Sequence, residues 1–194
     1  MTPIYIDIHT HSNYLDINVL YVKNVELSDE FNFDSKSNTS IGIHPWDIDN
    51  IQEIDEKLED LKKILENNSR FFVGECGLDR AIDTDLDSQI EVFEYQLELA
   101  QKYKRPVVIH CVKAYYDVIA IIKKLHFTSP IIFHKYSGNQ QLTNSLRYFN
   151  VYFSFGEEIY TNIKSQQLVK DIAISNLFLE TDTKGENIQE IYKF

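Results

Sequence analysis

The stretch PVVIHCVKAYYDVIAIIKKLHFTSPIIFH, residues 106–134, reads as one complete strand–helix–strand unit. Its two short apolar runs, 106–109 and 131–133, have the length of strands. Between them Tyr115, Val118, Ile122 and Leu125 recur at intervals of three or four, the spacing of one buried helix face. A strand returned to its sheet through a helix runs parallel to its predecessor. Both runs end in a histidine, His110 and His134.

The same pattern extends along the chain in both directions. Further strand-like runs fall at 4–8, 19–25, 40–43, 71–73, 151–155 and 177–179. Helical spacing recurs at Ile51, Ile54, Leu58, Leu61 and Leu65, at Ile90, Phe93, Leu97 and Ala100, and at Leu142, Leu146 and Phe149. Eight strands alternating with helices predict an α/β fold closed as a compact (β/α)8 TIM-like barrel. Such barrels usually take ~250 residues, and this chain has 194. The shortfall lies early. Too few residues separate the first two runs for a crossover helix, and 27–39 has no clear helical period. Some early helices are therefore expected to be missing, and the run at 19–25 is expected to pair irregularly. The chain ends on ENIQEIYKF, one or two turns into a shortened C-terminal helix.

Residues 1–194 are expected to form a single domain. With 19 basic and 30 acidic residues the net charge is −11, which disfavours non-specific duplex binding. Asp7 and His9 interrupt the first apolar run, so no secretory signal is recognisable, and no run approaches the ~20 residues of a membrane helix. Cys76 and Cys111 are the only cysteines and do not suggest a disulfide framework. These features predict a cytoplasmic protein with no membrane association and no obligate protein partner.

Function is written at the ends of the apolar runs. YIDI leads to His9 and His11, SIGI to His44, FFVG to Glu75, and LFLE to Thr181 and Asp182. Residues two apart on a strand share a face, so His9 and His11 point the same way. In a parallel barrel all carboxyl ends open on one mouth, where reacting groups gather. His9, His11, Glu75, His110, His134 and Asp182 are therefore expected to converge. Imidazoles and carboxylates suit Zn²⁺, Mn²⁺, Fe²⁺, Co²⁺ or Ni²⁺, and Mg²⁺ less well. Four histidines and two carboxylates exceed one tetrahedral site with an open position, so two divalent metal ions are expected. His44 is a metal-site neighbour, a substrate contact, a proton donor or a core histidine with a bonded backbone partner. Trp46 either walls the pocket or packs on the next helix. Cys76 and Cys111 each follow a ligand by one residue, which turns them into the apolar core.

The motifs DIHTH, GIHPW, VGECGLD, Q…F…Q…LA…RPVVIHC, HKYSG, YFSFG and LFLETD occur in an order that resembles the TatD family of metal-dependent hydrolases and deoxyribonucleases, and they cover nearly the whole chain. The resemblance implies that His9 and His11 bind a first metal with Asp182, that Glu75 bridges both ions, and that His110 and His134 bind the second. It implies cleavage of DNA ends or short oligonucleotides. The substrate region departs from the family. Val112 and Lys113 replace an Arg-Asp pair, Arg80 follows GLD in place of an aromatic, and HKYSG and ETDTK replace HCFSG and ETDSP.

Together these predict a two-metal phosphodiesterase using water activated by its ions. Asp182 is expected to orient that water and accept its proton, with Glu75 as the second catalytic carboxylate. His44, Arg80, Lys113 and Lys135 are the expected substrate contacts. Hydrolysis of a small anionic ester, lactone or amide is the alternative chemistry, and an inactive metal-binding scaffold is the non-enzymatic one.

Overall fold

The computed structural model describes residues 4–27, 38–48, 51–183 and 187–194. Eight strands pair in chain order: β1 (Tyr5–Thr10), β2 (Val19–Glu26), β3 (Asn38–Gly42), β4 (Phe71–Asp79), β5 (Val107–Val112), β6 (Ile131–Phe133), β7 (Val151–Phe155) and β8 (Leu177–Leu179). Every neighbouring pair is parallel. Just past β8 the sheet meets its own first strand. Asp182 N–H donates to the His9 carbonyl and His11 N–H to the Asp182 carbonyl, each at 3.0 Å. The sheet is thus a nearly closed barrel whose seam carries three of the expected ligands. β2 runs parallel to both neighbours, so the expected irregular pairing is confined to a register shift on β1.

The helices are α1 (Ile51–Asn67), α2 (Leu86–Tyr103), α3 (Tyr115–Lys124), α4 (Gln140–Leu146), α5 (Glu158–Thr161), α6 (Ile163–Asp171) and α7 (Ile188–Ile191). No helix lies between β1 and β2, as their spacing predicts. Most of the other helix-poor segment, 28–37, lies outside the described residues, as does Lys184 of ETDTK. Among the described residues no helix is long and apolar enough to cross a membrane.

Alternation along the strands builds two apolar layers. Ile8, Val22, Phe72, Val108, Ile132, Tyr152 and Phe178 face one another inside the barrel. Val73, Val107, Ile109, Phe133 and Phe153 face outward, onto Phe93 and Leu97 of α2, Val118 and Ile122 of α3, and Leu142 of α4. Cys76 and Cys111 are buried in this outer layer, Cys76 as its position predicts, while Cys111 also borders the mouth cavity.

Two register shifts adapt the alternation to the mouth. Val73 pairs with Val107 but Cys76 with Ile109, so three residues of β4 span two of β5. Val73 faces the helices, and strict alternation would send Glu75 there too. The extra residue turns Glu75 inward and returns Cys76 to the outer layer. Gly74, at φ +137°, occupies the shift, and a Cβ there would meet the Val108 carbonyl oxygen at 2.4 Å. On β1, Asp7 pairs with Tyr21 and Thr10 with Lys23. Ile8 points into the barrel, and the shift lets His9 follow it inward.

Candidate metal centre

The mouth is a cavity of about 490 Å³. Glu75 is its hub. Its Oε1 lies 2.8 Å from His134 Nε2, 2.9 Å from His110 Nδ1 and 3.3 Å from His44 Nε2. Its Oε2 lies 3.4 Å from His9 Nε2. Asp182 Oδ1 lies 3.6 Å from His9 Nε2 and 3.7 Å from His11 Nε2. All six expected ligands therefore converge. Together with His44 they form overlapping triads of potential ligand atoms: His9, His11 and Asp182; His9, Glu75 and His134; and His44, Glu75 and His110.

His9 tests whether a cation fits. The side chain is wholly buried, and neither ring nitrogen has a hydrogen bond among the described residues. An unsatisfied buried polar atom costs ~1–3 kcal/mol, so a group that repeatedly faces carboxylates without bonding them is suited to a ligand's role. A divalent ion between His9 and these carboxylates satisfies both.

Supporting hydrogen bonds orient the rings. His134 Nδ1 faces Glu180 Oε1 at 3.2 Å, which points its Nε2 toward Glu75. His110 Nε2 faces Asp79 Oδ2 at 3.1 Å, leaving Nδ1 toward Glu75. His44 is different. Its Nδ1 accepts the Trp46 backbone N–H at 3.1 Å, so the neutral ring carries its proton on Nε2, the atom that faces the site. His44 therefore suits a hydrogen-bond donor better than a metal ligand.

A second set of polar residues fixes the strands. Asn24 Oδ1 accepts the Glu75 backbone N–H at 2.7 Å and the Ser40 hydroxyl at 3.0 Å. Gln89 and Gln96 of α2 are buried. The amide of Gln89 bridges both backbone groups of Asp79, and that of Gln96 both backbone groups of Ile43. At the seam, Asp7 Oδ2 accepts the hydroxyls of Thr181 and Tyr14 at 2.6 and 2.7 Å. These residues lie outside the strand-end pattern. The paired glutamines and Asp7 gave a sequence signal only as parts of the motifs Q…F…Q and DIHTH.

The charges are strongly coupled. Burial alone would raise the Glu75 carboxyl, but His134, together with hydrogen bonds from His110, His134 and His44, holds it far below the ordinary range. Burial likewise opposes ionisation of Asp182, and the nearby His9 imidazole, the hydrogen bond from Lys135 and the charge on His134 outweigh it. Burial acts against a charged His134, yet Glu75 and Glu180 raise its pKa well above normal.

The four expected substrate contacts separate. His44 lines the cavity, and so does Lys135, whose Nζ pairs with Asp182. Lys135 gets there because β6 stops at Phe133 and the backbone turns through φ +42°, instead of sending Lys135 away from His134. Arg80 is held in a two-pronged pair with Asp117 at 2.7 and 2.8 Å and does not line the cavity. Lys113 is exposed beyond the end of β5 and does not line it either. Trp46 walls the mouth, its indole N–H donating to Asp79 Oδ2 at 2.9 Å.

Residues 8–184 match the family model described as TatD related DNase. The chain is 32% identical over 162 residues to a Bacillus subtilis protein named "Uncharacterized metal-dependent hydrolase YabD", covering 81% of this chain and 62% of that protein. It is 30% identical over 146 residues to the "3'-5' ssDNA/RNA exonuclease TatD" of Edwardsiella piscicida, covering 73% and 55%. It thus spans less than two thirds of these relatives' length. The fold matches the crystal structure of YjjV, a TatD homologue from Escherichia coli, with a TM-score of 0.77 at 22% identity, over 91% of this chain and 78% of that one. A TatD-family hydrolase from Entamoeba histolytica matches with a TM-score of 0.75 at 20% identity, over 93% and 74%.

Proposed function

The chain belongs to the TatD related DNase family, and from that premise we propose that it is a two-metal hydrolase of phosphodiester bonds, acting on DNA ends or short oligonucleotides. The observation that carries this is the convergence of four imidazoles and two carboxylates on one mouth, with both nitrogens of buried His9 unbonded among the described residues. His9, His11 and Asp182 would hold one ion, His110 and His134 the other, and Glu75 both. Divalent ions bound there supply an activated water and neutralise charge on the phosphoryl oxygens.

The protein's own groups do the rest. Asp182 orients the attacking water and takes its proton. The His44 Nε2–H donates a hydrogen bond to a substrate oxygen. Lys135 pairs with a phosphate oxygen, and it is the only Lys or Arg among the described lining residues. Glu26, Asp47, Glu75 and Asp182 also line the cavity, so its own charge is negative. Two divalent cations reverse that sign, which makes binding of an anionic substrate depend on metal.

The test is hydrolysis by protein loaded with Mn²⁺, Zn²⁺, Co²⁺, Ni²⁺, Fe²⁺ or Mg²⁺. The substrates are a phosphodiester reporter, an end-labelled single-stranded oligonucleotide, and a panel of esters and lactones. Metal-dependent cleavage of the first two is expected, with Lys135→Met raising KM more than Arg80→Ala or Lys113→Ala. Turnover confined to esters or lactones overturns the phosphodiester assignment. Stoichiometric metal without turnover of any substrate overturns the enzymatic one.

A further inference from the structure

Trp46 is the only tryptophan in the chain, and it stands at the rim of the metal-site cavity. It lies in the short turn Pro45–Asp47 that follows β3. It is 58% exposed, unusually open for the largest apolar side chain. Yet the ring is held in place. Its Nε1–H donates to Asp79 and its backbone N–H to His44. The rings of His44 and His110 stand nearly perpendicular to it, at centroid distances of 5.0 and 5.9 Å. Neither lies parallel to the indole.

A fixed, flat, exposed aromatic beside a phosphodiester site is suited to one ligand group above others, the face of a nucleobase. Charge points the same way. The protein is acidic overall, and Lys135 is the one Lys or Arg among the described residues lining the cavity. Backbone phosphates beyond the reacting one therefore find little positive charge here, and affinity for a strand must come from elsewhere. Base–aromatic stacking supplies it and tolerates any sequence, because every base has a π-face. A paired base, stacked within its duplex, is not free to use it.

We propose that the Trp46 indole stacks on the base adjoining the scissile phosphate and so selects unpaired strand ends. This rests on the phosphodiesterase reading. Trp46 acts by binding substrate and takes no part in bond making.

The sole tryptophan provides a direct readout. Metal-loaded protein is titrated with a phosphorothioate dinucleotide and with its abasic counterpart, following intrinsic fluorescence. Saturable quenching by the first and none by the second is expected. Kinetics then use trinucleotides with and without the base next to the cleaved bond. Trp46→Ala should lower kcat/KM about 5- to 150-fold for the intact substrate, the range of a lost base–aromatic stack. The abasic substrate should be little affected, and Trp46→Phe should keep most of the activity. Equal losses on both substrates, or a Phe variant as poor as Ala, overturn the proposal in favour of the indole's bond to Asp79. If wild-type protein cleaves no phosphodiester at all, the phosphodiesterase assignment falls, and the quenching titration still decides whether a base stacks.

Discussion

Gly77→Ala should cripple the site without touching a ligand. Gly77 sits on β4 directly opposite His110 of β5, at φ +147°. A Cβ built there would stand 2.0 Å from the His110 carbonyl oxygen and 2.9 Å from its carbonyl carbon. Both obstacles are backbone, so no side chain can swing aside, and β4 must separate from β5. The unfavourable φ costs ~1–3 kcal/mol. Forcing the strands apart adds ~1–3 kcal/mol, as overpacking does in other cores. The sum, ~2–6 kcal/mol, is a large part of the ~5–15 kcal/mol that holds a typical protein together. For a chain of this size each kcal/mol lowers Tm by ~2–4 °C, which gives a fall of ~4–24 °C. The displaced backbone also carries the His110 ring away from Glu75 and Asp79, so divalent affinity should fall in parallel. Thermal unfolding followed by circular dichroism, with and without metal, reads the first effect, and a calorimetric metal titration reads the second. A variant that melts within ~2 °C of wild type and binds metal normally would refute the close-approach argument.

Three further outcomes follow from the geometry. Asp182→Asn should remove most turnover while leaving metal at the His110–His134 side, because Asn cannot accept the water's proton; comparable hydrolysis rates in the two proteins would remove Asp182 from the base role. Glu180→Gln should weaken metal binding ~10- to 100-fold through loss of the carboxylate behind His134 Nδ1, an effect read by metal titration at unchanged Tm. The metal-free protein should lose stability as pH falls below about 4.5, the ordinary value for Glu75. The sign follows from the depressed folded-state pKa values of Glu75 and Asp182: the unfolded chain takes up protons there first, so their stabilisation is complete above the unfolded values and drains away in acid. Glu75→Gln should flatten that acid limb in denaturant melts, and an unaltered limb would rule out Glu75 as its source.

The barrel was legible because its strands are short apolar runs between helical periods, and six polar residues at the ends of five of them meet. Less legible were features set by register. The run 71–73 extends to Asp79, because beyond Val73 the residues Gly-Glu-Cys-Gly break the apolar pattern while continuing the ladder. Strict alternation would have turned Glu75 out of the mouth, and Gly74, isolated within a strand, was the available signal of a shift. Helix α6 carries only Ser165 and Leu168 as buried residues, too few to show a period. Its one local signal is Asn162, whose side chain caps Lys164 and Ser165. Asp79 and Glu180 lie within the motifs VGECGLD and LFLETD, but their support of His110 and His134, like that of Asn24 for Glu75, depends on which neighbour each strand brings alongside. Arg80 sits close to Asp79 in sequence, but Asp117 offers it a carboxylate fork away from the cavity. Lys135 reaches the mouth only because the chain turns sharply after His134.

The most direct measurement is anomalous diffraction from crystals of the protein loaded with Mn²⁺ or Zn²⁺. Two peaks are predicted in the mouth, ~3.5–4 Å apart with Glu75 between them. Ligand distances of ~2.0–2.2 Å are expected to His9, His11 and Asp182 at one peak and to His110 and His134 at the other. A single peak, a peak ligated by His44 in place of His110, or no metal within reach of His9 would contradict the two-metal assignment.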